Sequence, residues 1–495
     1  MGMVIKQGFY NSVWMFLGIV IGYVNTILLF PIFLTADQFG LTRVLWAAGS
    51  VFAQFALLGG PQVLIKFFTD FDEKPKQRGG FFMLMLIIPL VGFIIFLLAG
   101  TLFKGAIVKS YATQSTLFAD NFTYIYIITF FFMYFNMLEA YLRALFKTTV
   151  AAFLKNVMLR ILWLGLIILY QQKLINFETF IFWFVNAYGV ILFFLIIYAI
   201  ALKQLKISFR MNFLTAKRIK TMGEFGLYVI LGGSTAYLAN YIDVLMVGGM
   251  IDLKSVAFYS VAFYLGTVIL LPFNGTSNIL IPIISEGFSK NNLPRVKEIY
   301  QGASINLSLV SMLIFLGVWL NADSIFRLLP PSYASGKYVL LYIALAKLFG
   351  ASMGVNGFVL QFSPYFRKLL WFNIAFLVFV VISNYLLIPP MGIVGAALAT
   401  FLSQVLVNII QILYIKSKMG MFPFRLRNLK ILFLGIAVYL IVGEIPSQPN
   451  VFIDIVLRSL IIIVLYLPAA YFWHASEEYT GFVKKYIKLA VEKFK

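Results

Sequence analysis

Asp243 stands between isoleucine and valine in YLANYIDVLMVGGM (residues 237–250), a run that otherwise suits hydrocarbon. A carboxylate at such depth costs about 2.5–3.5 kcal/mol on insertion scales, so it needs a partner or a function. Asn240, Tyr241 and Tyr237 lie within two helical turns and can solvate it or help hold an ion. Three roles fit these residue types: a hydrogen-bonded lock between helices, a protonation or Na⁺ site, and a counter-charge for Lys347.

Basic residues offer the complementary chemistry. Lys347 lies inside the run LYIALAKLFGASMG. Facing a water-filled cavity it would attract a pyrophosphate or an acidic sugar; otherwise it pairs with a carboxylate or snorkels to the interface. Lys66 and Arg160 fall near the inner ends of their apolar runs, where a point charge and a planar fork can meet a phosphate. Headgroup anchoring is the alternative for both. Arg43 sits at the outer end of its run, where it could line the outward mouth or simply anchor the helix end. Glu139 and Arg143, four residues apart, read as a self-satisfied pair or a gate. Arg458 is expected to snorkel or to pair with Asp454, on a helix turned to lipid. Amides such as Asn25, Asn136, Asn306 and Asn356 can bond sugar hydroxyls or join helices. The one histidine, His474, follows the last apolar run, and there is no cysteine, so no thiol chemistry, disulfide or cysteine metal site is available.

These side chains must be positioned by helices. The chain is 62% hydrophobic and only 12% charged, which no soluble globular domain would be. Its apolar residues form about fourteen long runs, each near the ~20 residues that a membrane-spanning helix needs. The runs are near 9–33, 42–67, 80–103, 121–143, 156–171, 178–202, 224–249, 255–284, 300–320, 338–361, 369–388, 392–415, 429–443 and 452–473. The fifth and thirteenth are short. In lipid every backbone amide needs an internal partner, so the runs are predicted to be helices, and the fold all-α and polytopic. The net charge of +21 follows the loops: with the N-terminus inside, thirty of 39 Lys and Arg fall in inward loops and seven in outward ones. That bias puts both termini in the cytoplasm. It reads as topology and headgroup attraction, not as a nucleic-acid surface. The outward connections are too short to fold as a domain.

The basic segment 203–222 follows six runs and precedes six more, so it divides the chain. The predicted organisation is an N-lobe at 1–202, an amphipathic linker at 203–222 and a C-lobe at 223–420. Two further spans follow at 421–474, then an amphipathic tail at 475–495, with linker and tail on the inner membrane surface. Phe39-Gly40 with Pro61, and Phe258-Tyr259 with Pro282, repeat at an offset close to one lobe, as in transporters built from two parallel repeats.

Four stretches together resemble the polysaccharide (O-antigen type) flippases of the multidrug/oligosaccharidyl-lipid/polysaccharide exporter superfamily. They are LTADQFGL (34–41), LLGGPQVLIKFF (57–68), YIDVLMVGGMIDLKSVAFYSVA (241–262) and IPPMGIVGAALAT (388–400). The second leads to a basic residue, Lys66. The third sets an aspartate of the seventh span before a short loop and a tyrosine. The fourth is a turn between the eleventh and twelfth spans. The resemblance implies two six-helix lobes around a central cavity, with two peripheral helices. It implies alternating-access export of a lipid-linked oligosaccharide across a bacterial inner membrane, for surface polysaccharide such as lipopolysaccharide. The first span departs from the family pattern in carrying no charge after Lys6.

Two other classes compete. A drug or cation antiporter of the same superfamily needs acidic cavity residues, whereas the spans carry mainly Asp243 against Lys66, Lys347 and Arg160. A polysaccharide polymerase or ligase needs a catalytic outward loop, which is absent, so an enzyme is not expected. Without a G-x-x-x-x-G-K-[ST] loop, ATP is not used directly. No cofactor is expected; a coupling ion would be Na⁺ or H⁺. The expected partners are the lipid-linked substrate, the bilayer and other polysaccharide assembly proteins.

Overall fold

The computed structural model describes residues 2–71, 75–112, 116–203, 208–209 and 215–493. Among the described residues every regular element is helical. Eleven helices among these residues are long and apolar enough to cross a membrane, and two pairs bent by 46° and 55° bring the number to thirteen if each pair is one span. The longest helix, Arg367–Met419, has non-helical dihedrals at Gly392 (φ 59°, ψ −138°). At about 1.5 Å per residue it would reach about 80 Å if straight, far beyond a hydrocarbon core of about 30 Å. Gly392 therefore divides it into the eleventh and twelfth spans, at the turn that the 388–400 stretch predicts. Each of the fourteen apolar runs has its helix. The short fifth and thirteenth runs are completed as Thr149–Gln171 and Leu426–Gly443.

The chain packs as two compact units, Met1–Ser260 and Val261–Lys495. The first takes in the seventh span, which the sequence division assigns to the second lobe. Of the linker, residues 204–207 and 210–214 lie outside the described residues. Phe209 is exposed, and Thr215 caps the helix Ala216–Val229.

In the first unit, the first span Gln7–Phe33 passes through a π-helical stretch at Val24–Leu29. The second span, Ala36–Ala56 with Gly60–Phe71, opens on a Thr35–Gln38 capping box. It breaks where Leu58 and Gly59 take positive φ (48° and 73°). The third, fourth and sixth spans are Arg78–Lys109, Tyr124–Ala144 and Phe177–Ala201. Fully buried Phe30, Phe39 and Phe180 pack edge-to-face at the centre of this unit. Two contacts of the second span are made by backbone alone. Gly40 lies against the Leu253 carbonyl, and Gly59 against Gly226, so close that a Cβ at either glycine would collide.

In the second unit the core gathers Ile284, Val296, Tyr300, Val359, Leu360 and Ile415. These come from the eighth span (Leu253–Ser289), the ninth (Leu293–Trp319), the tenth and the twelfth. The tenth span stops at Ser352 and resumes at Asn356, with Gly354 at φ 69° between. Asn356 Nδ2 fills the break by donating to Asn408 Oδ1 (2.9 Å) and Gln411 Oε1 (2.8 Å).

Arg458, on the fourteenth span Val451–Phe472, makes the expected pair with Asp454, but on a face turned to protein and not to lipid. It is 8% exposed and donates to Asp454 Oδ2 (3.1 Å) and the Ile445 carbonyl (2.7 Å). Asp454 also accepts from Ser324 Oγ at 2.6 Å. The pair is dry because the span turns this face onto the protein. The tail forms a helix, Glu477–Lys493, docked through its first turn. Glu477 pairs with Arg427 of the thirteenth span, and Ser476 Oγ donates to Asn306 Oδ1 (2.6 Å) of the ninth. Phe482, Tyr486 and Leu489 remain exposed.

Candidate functional site

The seventh span is two helices, Ala216–Ala239 and Ile242–Met250, bent by 55° at Asn240–Tyr241. The bend sets Asp243 in the first turn of the second helix, where the unpaired amides and macrodipole favour a carboxylate. Asp243 is only 3% exposed, and the hydroxyl of fully buried Tyr259 donates to its Oδ2 at 2.6 Å. Tyr259 comes from the eighth span, so the bond ties two consecutive spans across the short Ile251–Asp252 connection. Asp252 holds that connection by accepting from the Ser255 amide at 2.6 Å.

The expected neighbours are arranged differently. Asn240 is exposed at the bend, its backbone N–H donating to the Tyr237 carbonyl at 3.1 Å. The Tyr237 ring lies 5.1 Å from that of Tyr241, which meets Trp46 edge-on at 5.4 Å. Trp46 in turn donates to Tyr188 Oη at 2.7 Å. An aromatic cluster therefore backs the bend.

The basic candidates separate into different surroundings. Arg43 is 5% exposed, with its guanidinium 5.3 Å from the Phe39 ring and 5.8 Å from Phe30. It is buried against core aromatics instead of standing at an open mouth. Lys66 is exposed, and its Nζ sits 3.8 Å from the centre of the Phe225 ring. That contact holds the ammonium without consuming its hydrogen-bond donors. Lys347 is half-buried in the second unit, 5.2 Å from the Phe263 ring.

Arg160 lies along the first span, in the notch left by Gly18 and Gly22. Asn25 Nδ2 also donates to the Arg160 carbonyl at 2.8 Å, and the guanidinium donates to the Asn156 carbonyl. The G-x-x-x-G spacing, which lets helices approach closely, here admits an arginine stem.

Glu139 and Arg143 do pair, at 3.1 Å, but the shorter bond to Glu139 is from Lys155 of the fifth span, at 2.8 Å. Lys155 also donates to Asn136 Oδ1 at 3.1 Å. Lys155 and Tyr259 are thus the two site residues that the sequence candidates omit. The 241–262 stretch did carry the tyrosine as part of its pattern. Lys155 had no signal, because the i+4 rule speaks only of neighbours on one helix.

Residues 4–288 match the family described as polysaccharide biosynthesis protein. The chain belongs to this family. A curated relative, the probable low-salt glycan biosynthesis flippase Agl15 of Haloferax volcanii, is 23% identical over 213 residues. That match covers 43% of this chain and 45% of the relative, so the chain spans less than half the length of the curated relative it matches. Among solved structures, the lipid II flippase MurJ in an inward closed conformation superposes with a TM-score of 0.71 at 13% identity, covering 94% of this chain and 98% of that one. A multidrug resistance MATE family transporter of the MOP superfamily, inward-facing, gives 0.61 at 13% identity, covering 84% and 94%. The polysaccharide biosynthesis protein described here is a multi-pass membrane protein with the fold of these transporters.

Proposed function

We propose that this chain is an alternating-access flippase. It carries a lipid-linked oligosaccharide, anchored by polyprenyl pyrophosphate, from the inner to the outer leaflet of a bacterial inner membrane, with both termini cytoplasmic. The observation that carries this reading is the family match over residues 4–288. The excess of intramembrane cations supports an anionic substrate: Lys66, Arg160 and Lys347 offer positive charge, and Lys66 is exposed. A drug or cation antiporter would need acidic groups facing its substrate, whereas Asp243 is buried and held by Tyr259. We assign Asp243, with Asn240 and Tyr237 at the adjoining bend, as the site where Na⁺ or H⁺ would couple to transport. O-antigen or another surface glycan would be the cargo, and other polysaccharide assembly proteins the partners.

The test is reconstitution of the full chain in liposomes, scoring the appearance of a lipid-linked sugar in the opposite leaflet with and without Na⁺ and H⁺ gradients. The expected result is sugar transfer that the double variant Lys66→Gln/Lys347→Gln abolishes while still inserting. Export of a cationic dye with no sugar transfer would establish the antiporter instead.

A further inference from the structure

The first unit holds a cavity of about 510 Å³ that none of the residues discussed above explains. Its walls come from the second, third, fourth and seventh spans and from the helix Thr116–Asn121. They are almost entirely apolar. Phe52 stacks on Phe96 at 4.3 Å, and Tyr111 on Phe118 at 4.1 Å. The Tyr111 hydroxyl is already used, donating to the Leu245 carbonyl at 2.7 Å. Glycines keep the space open: a Cβ at Gly249 would stand 3.3 Å from the Tyr111 ring. A cavity of this size and chemistry inside a membrane protein takes a hydrocarbon chain and not water.

Two polar groups are set beside its wall, midway along the third-span helix. Gly100 lines the cavity, and a Cβ there would lie 2.8 Å from Tyr126 Oη. That hydroxyl is buried and has no hydrogen-bond partner among the described residues. One turn further along the same helix is Lys104, exposed, with Nζ 5.8 Å from the centre of the cavity-lining Phe122 ring. Lys104 is close to the end of the third span at Lys109, the level of the headgroups. Moving inward from the membrane surface, the order along this wall is a cation and then a hydroxyl donor, both flanked by the apolar chamber, which continues inward to Phe52 and Phe96. This matches the phosphate, ester carbonyl and acyl chain of a phospholipid. A polyprenyl phosphate shares the phosphate and the chain but has no ester carbonyl for Tyr126 to bond.

From this order we propose that the cavity binds one acyl chain of a phospholipid from the leaflet at the Lys109 end of the third span. Its phosphate sits on Lys104 and its ester on Tyr126. Such a lipid would be a resident of the fold, separate from the transported substrate.

The test uses the full chain in nanodiscs containing a small fraction of phosphatidylglycerol with a diazirine on one acyl chain, followed by irradiation and peptide mapping. Label is expected on segments 96–107 and 245–250 in excess of that on Phe193, an openly lipid-facing residue of the sixth span (59% exposed). Lys104→Gln and Tyr126→Phe should each lower that excess by about fivefold, the effect of one hydrogen bond. Tyr126→Phe changes no packing volume, so loss of fold does not obscure the result. Labelling equal to that at Phe193, or unaltered in both variants, would mean ordinary annular contact and overturn the proposal. Displacement of the label by an equal fraction of polyprenyl phosphate would overturn it in favour of a substrate site.

Discussion

The bond between Tyr259 and Asp243 decides how the intramembrane carboxylate is tolerated. A buried hydrogen bond to a charged group contributes about 1.5–3 kcal/mol, so Tyr259→Phe should lower unfolding stability in detergent by about that amount. Asp243→Asn should lower it less, because the amide oxygen still accepts from the tyrosine. If the site also takes up an ion, Asp243→Asn would remove the gradient dependence of transport while leaving the fold. The charge cluster at Glu139 makes a second residue-level prediction. Lys155 is 35% exposed at its side chain and Arg143 57%. Exposed pairs contribute little, so Arg143→Met should cost under about 1 kcal/mol and Lys155→Met distinctly more, measured by thermal unfolding. At this scale the sequence carried Asp243 and the Glu139–Arg143 pair. It could not place Lys155, whose partners lie on the preceding span, or Arg160, which packs into the glycine notch of the first span.

Among the elements, apolar length made the spans legible and chain breaks were only partly so. Gly392 was readable because prolines and glycines surround it. The break at Leu58 was not, since leucine ordinarily avoids positive φ. Gly392→Ala should cost about 1–3 kcal/mol, the strain of a side chain in a glycine conformation, read as a lowered Tm. The tail helix has its own dependence on pH. The hydrogen bond from Arg427, and then its charge, hold the Glu477 carboxyl below the ordinary glutamate range. A lowered carboxyl pKa stabilises the docked state above the unfolded pKa and loses that contribution as pH falls through the folded one. The pair should therefore contribute its share of docking at neutral pH and lose it only below the ordinary glutamate range. A fluorophore on an introduced Phe482→Cys would report this, and Glu477→Gln should loosen the tail only slightly at neutral pH, because the pair is exposed and Ser476 and Tyr479 still hold the helix.

On the scale of the whole molecule, orientation rests on where the basic residues fall. Because the chain has no cysteine, single replacements label one position each. Ser208→Cys should react with an impermeant maleimide only after the cells are opened, and Lys109→Cys in intact cells; reaction of both from one side would refute the orientation. The number of spans was legible from hydropathy, but the boundary at Ser260 was not. Helices pair by surface shape, which the loop lengths that suggested a division at 203–222 do not encode. The backbone contacts of the second span, Gly40 on Leu253 and Gly59 on Gly226, have one further consequence. At those two points no side chain separates the backbones, while Val63 and Lys66 of the second span reach Gly226 and Phe225 beside them. The seam has no room to grow, and one methyl group at Gly40 would act as a wedge against the Leu253 carbonyl.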